Sequence, residues 1–250
     1  MGDVIGAEAL IRWQHPDSGL LFPGDFLEYM EGSDLEIAVG EWVIESVLQQ
    51  IEIWEAAGLS LSVSANISAD HLLSADFADS LILALERHPN VPPRNLELEI
   101  LETAAMSDMR QAVLVLSQCR ELGVQLSIDD FGTGYSSLAY LRNLPVDTLK
   151  IDQSFVRDML NDPSDLAIVI SVVQLAKTFD RMVIAEGVET MEQGATLMQL
   201  GCRLMQGYGI SRPMPAEKMP AWVKQWRNDA IWLTLATQPQ LPLKFETASP

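Results

Sequence analysis

The sequence predicts a closed (β/α)8 barrel, and three observations predict it. Short β-rich runs alternate with longer amphipathic ones along nearly the whole 250 residues, which is the pattern of parallel βα units. The length lies within the range that α/β barrels reach as one domain. Every candidate strand also carries a carboxylate, amide or amine at or near its C-terminal end. An open doubly wound sheet concentrates its ligands at one switch point, whereas polar groups spread over all strand ends are the habit of a barrel.

Taken in order, the strands are expected to end near Glu8, Asn66, Glu99, Asp129, Lys150, Glu186 and Gln206, in runs such as LSLSVSANIS, LELEI, VQLSID, TLKI, MVIAE and RLMQG. Between them, apolar residues at helical spacing predict helices in the stretch 25–58 and in MRQAVLVLSQCRELG, LAIVISVVQLAKTFD and TMEQGATLMQLG. Gly58, Gly123 and Gly201 each stand where the residue just past a helix would. Seven strands are one short of closure. Either a strand preceding Met1 completes the barrel, or the barrel closes in an unusual way. From about Asn228 the chain turns Pro-rich and aperiodic, which sets the domain at residues 1–228 and a tail or linker at 229–250.

Composition excludes several classes. A formal charge of −19, with pI near 4.3, argues against a partner that is a nucleic-acid polymer, because such binding needs a basic stripe. Cys119 and Cys202 stand apart and in no CxxC, so neither a disulfide framework nor a zinc knuckle is signalled, and a reducing, cytoplasmic setting fits. The longest apolar run, Leu166 to Ala176, is too short to span a bilayer, and the first residues lack a basic leader region.

The chemistry concentrates at the strand ends. Glu8, Asn66, Glu99, Asp129, Asp130 and Glu186 would face one another at a single barrel mouth, where clustered carboxylates repel unless a cation sits among them. Oxygen-only ligands, with His scarce and Cys absent, suit Mg²⁺ or Mn²⁺ rather than zinc or copper. The adjacent Asp129 and Asp130 suggest two ions, one carboxylate bridging and the other serving the second ion. Two ions roughly 3.5–4 Å apart form the usual clamp for displacement at phosphorus. Each acid taken alone reads more simply as a helix cap or ion-pair partner, and Lys150 alone as a snorkelling residue. Beside phosphate it could stabilise the anion or orient water. FGTGYSS lacks the lysine and spacing of a P-loop and reads as a flexible loop beside the site. His15, His71 and His88 share no spacing and are read as surface or packing residues.

Six motifs, EALIRW, SANIS, ELEILE, IDDFGTGYSSLAYLRNLPVDTLKID, AEGVET and QGYGISRPMP, run over about Gly6 to Pro215. Together they resemble the EAL domain family, the phosphodiesterases of cyclic di-GMP. The resemblance implies a TIM-like barrel whose first strand runs antiparallel, and hydrolysis of cyclic di-GMP to linear pGpG with Mg²⁺ or Mn²⁺. Calcium is expected to inhibit. Carried over residue by residue, the family pattern makes Glu8, Asn66, Glu99 and Asp129 ligands of one ion, and Asp129, Asp130 and Glu186 ligands of the other. It places Lys150 near the attacking water, with Glu186 and Glu8 in the catalytic set. Arg12, Asp152 and Gln206 match substrate-binding positions, and Glu102 and Glu189 match residues that hold the loop and the second-ion region. The family's YQP-like motif upstream of EAL is not in this chain, so the missing strand reads as trimmed. The resemblance also implies a homodimer paired through helices beside the loop, and it leaves membrane contact of any parent protein open. A non-catalytic cyclic di-GMP receptor and a structural scaffold are the other function classes. The complete ligand set argues against both.

Overall fold

The computed structural model describes residues 2–134 and 138–226. Along the chain run β1 (Gly6–Ala9), β2 (Trp13–His15), β3 (Gly19–Leu21), α1 (Asp34–Ala56), β4 (Ser62–Ile67), α2 (Ala69–Leu72), α3 (Phe77–Arg87) and β5 (Leu96–Leu101). There follow α4 (Glu102–Ser107), α5 (Met109–Glu121), β6 (Gln125–Phe131), α6 (Leu138–Asn143), β7 (Thr148–Ile151), α7 (Gln153–Asp158) and α8 (Pro163–Thr178). Last come β8 (Met182–Ala185), α9 (Met191–Leu200), β9 (Leu204–Met205) and α10 (Met219–Gln225). All seven expected strands are present, each within a few residues of its expected end. The tail 229–250 lies outside the described residues.

The chain divides into two compact units, one of Val4–Lys150 with Pro213–Trp226 and a smaller one built on Ile151–Arg212. In the larger unit β1, β4, β5, β6 and β7 lie in that order. The registers Glu8↔Ser64, Asn66↔Glu99 and Leu101↔Asp129 all belong to parallel pairs. Period two sorts each strand into two faces. Leu96, Leu98 and Ile100 on β5, Leu126 and Ile128 on β6, and Leu149 and Ile151 on β7 are buried. Glu97 and Glu99, Ser127 and Asp129, and Thr148 and Lys150 occupy the opposite faces of the same strands. That second face is buried too, with Ser127, Thr148 and Lys150 at 0–1% exposure. The sheet therefore has one apolar face and one face of buried polar groups, and the polar face leads to the strand ends.

Antiparallel pairing among the described residues lies in a separate ribbon, β2 with β3, in the register Trp13↔Leu21. Three-residue strands carry too few side chains to show an alternation, so no periodicity marks this ribbon in the sequence. The expected helix over 25–58 is also corrected. Residues 23–25 and 27–29 form 3-10 turns, and α1 begins only at Asp34. Gly32, at φ +70°, takes a left-handed turn that a helix cannot continue through. Gly58 and Gly123 are left-handed just past α1 and α5, and Gly201 closes α9 at φ +100°, as their spacing predicts.

The smaller unit holds β8 parallel to β9, with Ile184↔Leu204 in register. Its helices start on side-chain caps. Asp152 accepts from Ser154 N–H at the head of α7, Asp162 from Ser164 N–H at α8, and Thr190 from Gln193 N–H at α9.

Candidate active site

Glu8 stands near the end of β1, Asn66 near the end of β4, Glu99 on β5, Asp129 on β6 and Lys150 on β7. Parallel pairing turns all five side chains to the polar face at the C-terminal ends of the strands. The larger unit thus brings together five residues that the sequence singles out. Lys150, 1% exposed, places Nζ 2.8 Å from Glu99 Oε1, 3.3 Å from Asp129 Oδ1 and 3.9 Å from Glu8 Oε2. Asn66 Nδ2 donates to Glu8 Oε1 at 2.9 Å.

The electrostatics of this cluster are unbalanced. Three carboxylates share one ammonium, and Glu99, 2% exposed, sits deepest among the acids. Burial, with the repulsion of Glu8 added, pushes the Glu99 carboxyl up to about 8 against the pull of Lys150. Its Oε2 has no hydrogen-bond partner among the described residues. A buried, unpartnered carboxylate oxygen beside two further acids is chemistry that fits a hard divalent cation. A cation there would supply the missing positive charge and let Glu99 ionise.

Asp130 follows at φ +52°, a left-handed conformation that non-glycine residues seldom hold and that concentrates at functional sites. It turns the chain out of β6 into the loop. Thr133 Oγ1 donates to the Asp130 carbonyl at 2.8 Å, and Gly132 N–H donates to Glu102 Oε2 at 3.0 Å. Glu102, 1% exposed, opens α4, and a Cβ on Gly134 would run into its carboxylate. Both contacts lie between Glu102 and the segment that follows β6. Tyr135, Ser136 and Ser137 of the expected loop lie outside the described residues. Arg12, just past β1, lays its guanidinium over the Phe22 ring at 4.7 Å and donates from Nη1 to the Ile11 carbonyl.

The smaller unit carries the remaining candidates. Glu186 directly follows β8, and its N–H donates to the Ile151 carbonyl at 3.2 Å. Gln206 N–H donates to Ala185 and Gln206 accepts from Val188 N–H, so Glu186 and Gln206 are fixed by one short interlocked segment. Gly187, at φ +66°, passes so close to Gln153 that a Cβ would come within 2.6 Å of the Gln153 Cβ. Asp152 caps α7 through Oδ1, which accepts from Ser154 N–H. Glu189 is exposed, and its N–H is held by Gln193 Oε1 at 2.9 Å. Sequence reading missed Gln193, which is buried and also donates to the Val156 and Arg157 carbonyls. The signal was there as Thr190 followed three residues later by Gln193, a capping box. Of the three histidines, read as surface or packing residues, His15 accepts from the Asp17 and Ser18 N–H groups on Nδ1. His71 is buried against Phe77, and His88 bridges Glu45 and Glu52.

Known proteins resemble this chain closely. The model of the EAL domain family matches residues 1–213. The "Bifunctional diguanylate cyclase/cyclic di-GMP phosphodiesterase MucR" of Pseudomonas aeruginosa is 44% identical over 223 residues, which is 89% of this chain and 32% of that protein. The "Cyclic di-GMP phosphodiesterase PdeR" of Escherichia coli K12 is 38% identical over 92% of this chain and 34% of its own length. The chain thus spans about a third of the length of these curated relatives. The solved structure "PaMucR Phosphodiesterase, c-di-GMP complex" superposes with a TM-score of 0.82 at 44% identity, covering 86% of this chain and 87% of that one. The fold class is accordingly the TIM-like α/β class of those structures, and the chain belongs to the EAL domain family.

Proposed function

We propose that this chain hydrolyses cyclic di-GMP to linear 5′-pGpG in bacterial second-messenger signalling, as a metal-dependent phosphodiesterase. The observation that carries the reading is the cluster of Glu8, Asn66, Glu99 and Asp129 around Lys150, in a chain so close to a phosphodiesterase solved with cyclic di-GMP. Glu8, Asn66, Glu99 and Asp129 would hold one Mg²⁺ or Mn²⁺, and Asp129, Asp130 and Glu186 a second. Such ions acidify water and offset charge at phosphorus.

The chain's own residues do the rest. Lys150 is buried and pinned by Glu99, so its ammonium meets the attacking water and the charge growing on phosphorus with no rotamer freedom left to lose. Glu186 and Glu8 complete the catalytic set. Arg12, held over Phe22, presents its guanidinium to a phosphate, while Gln206 and Asp152 contact the nucleotide. Glu102 and Glu189 keep the loop and the second-ion region in place. Calcium, larger and less strict in geometry, would bind these oxygens without supporting turnover.

The chain would work as a homodimer paired beside the loop, seen as twice the monomer mass in light scattering at micromolar concentration. No helix of the described residues is long and apolar enough to cross a membrane, which accords with a cytoplasmic domain spanning residues 1–228, the rest serving as a linker. Chromatography of cyclic di-GMP incubated with the chain and Mn²⁺ tests the reading. Linear pGpG is expected, falling about a hundredfold or more in Glu8→Gln. Nucleotide binding without product would instead indicate a receptor.

A further inference from the structure

Arg12 and Phe22 are the next residues outward from the register Trp13↔Leu21, so they stand opposite each other where the ribbon of β2 and β3 opens. The Arg12 guanidinium lies 4.7 Å from the centre of the Phe22 ring, and its Nη1 donates to the Ile11 carbonyl at 2.7 Å. Among the described residues no carboxylate pairs with Arg12, although the chain carries a formal charge of −19. The ring therefore holds the guanidinium without neutralising it, and most of its N–H donors stay open to an anion. Phe22 gains little from burial, since it is 55% exposed. Its backbone is fixed instead, with its N–H donating to Asp25 Oδ2 at 2.8 Å and its carbonyl accepting from Asp25 N–H at 2.9 Å. The neighbouring Trp13 ties the ribbon to the core, meeting the buried Phe26 edge-on at 5.7 Å between ring centres. Both partners of the stack are thus set by the ribbon, which follows directly on the strand that carries Glu8.

We propose that Phe22 is a positioning residue for substrate, whose ring holds the Arg12 guanidinium in the pose that meets a phosphate of the cyclic dinucleotide before the nucleotide arrives. A free arginine side chain loses rotamer freedom when it binds an anion, and one already stacked has lost much of it. The stack is made by the chain alone. It therefore contributes equally to binding in the ground and transition states, and shows in KM rather than kcat. The inference rests on the phosphodiesterase reading of the site, with Arg12 as its phosphate contact.

Phe22→Leu and Phe22→Tyr test it, since both keep a large side chain at an exposed position and they differ in the aromatic face. Phe22→Leu is expected to raise KM for cyclic di-GMP about threefold at unchanged kcat, whereas Phe22→Tyr should keep the wild-type KM. In NMR relaxation the Arg12 Nε–H should be more ordered in wild type and Phe22→Tyr than in Phe22→Leu. On an Arg12→Gln background, Phe22→Leu should leave KM unchanged. Equal Arg12 order in all three proteins overturns the holding claim. Lost order in Phe22→Leu with an unchanged KM overturns the link to substrate. A fall in kcat at unchanged KM puts the effect in the chemical step and overturns it too. A KM rise of the same size on the Arg12→Gln background makes Phe22 an apolar contact or a structural prop instead. If the wild-type chain neither binds nor hydrolyses cyclic di-GMP, the functional reading falls and this inference with it. The relaxation comparison needs no nucleotide, so the two failures are told apart.

Discussion

Lys150 shows how one side chain can decide the state of several others. With its ammonium shared among Glu8, Glu99 and Asp129, removal leaves three acids with no counter-charge in a buried setting. Lys150→Met should therefore lower stability by about 3 kcal/mol in the absence of metal, read from urea unfolding. It should also reduce hydrolysis by about a hundredfold or more. Asp130 should separate the two properties. Its left-handed φ of +52° costs roughly 1 kcal/mol that glycine would not incur. Asp130→Gly is thus expected to raise the melting temperature while lowering turnover by about a hundredfold or more, and a fall in melting temperature would count against strain at this position. The clustering of the strand-end acids was legible in the sequence because a strand fixes which face each residue takes, so an acid at a strand end can be placed from period two alone. Gln193 was harder to see, because a buried amide joining a helix start to a neighbouring helix is defined by three-dimensional contacts.

At the level of the elements, α1 and α3 are joined by a polar clamp. Arg87 and His88 at the end of α3 meet Glu45 and Glu52 of α1, with Arg87 Nη2 2.7 Å from Glu45 and both His88 ring nitrogens 3.0 Å from a carboxylate. Burial works to lower the His88 value, but its bonds to Glu52 and Glu45 outweigh it and the imidazole is held above its ordinary 6.5. The Arg87 bond holds Glu45, and the His88 bond holds Glu52, below their ordinary 4.5. A raised histidine stabilises the fold fully below pH 6.5 and loses that contribution as pH climbs through its folded value. Lowered glutamates contribute above pH 4.5 and lose it as pH falls through theirs. The clamp is therefore strongest between about pH 4.5 and 6.5. The stability lost in His88→Gln should be larger at pH 6 than at pH 8.5, and a loss of the same size at both would contradict the clamp. Most elements were legible from periodicity and glycine stops. The ribbon of β2 and β3 was not, since strands this short leave no pattern. The late start of α1 was missed because apolar spacing continues across Gly32, and only the backbone reversal there breaks the helix.

At the scale of the whole chain, a formal charge of −19 sets the response to ions. An acidic domain with an acid cluster should gain stability from divalent cations that bind only the folded state, by about 2.7 kcal/mol at a hundred times the dissociation constant. Mn²⁺ should raise the melting temperature and EDTA should reverse the rise, whereas the same ionic strength of NaCl should give a much smaller change. Equal shifts from Mn²⁺ and NaCl would mean charge screening rather than a site. The family was legible from contiguous motifs of the primary chain, and so was the charge. The coupling of Lys150 to three acids needed the registered sheet. Anomalous diffraction from crystals grown with Mn²⁺ would locate an ion at the acid cluster. A peak is expected within coordination distance of Glu8, Asn66, Glu99 and Asp129, with Glu99 Oε2 among the ligands. Anomalous peaks only elsewhere, with those four residues still closed on Lys150, would contradict it.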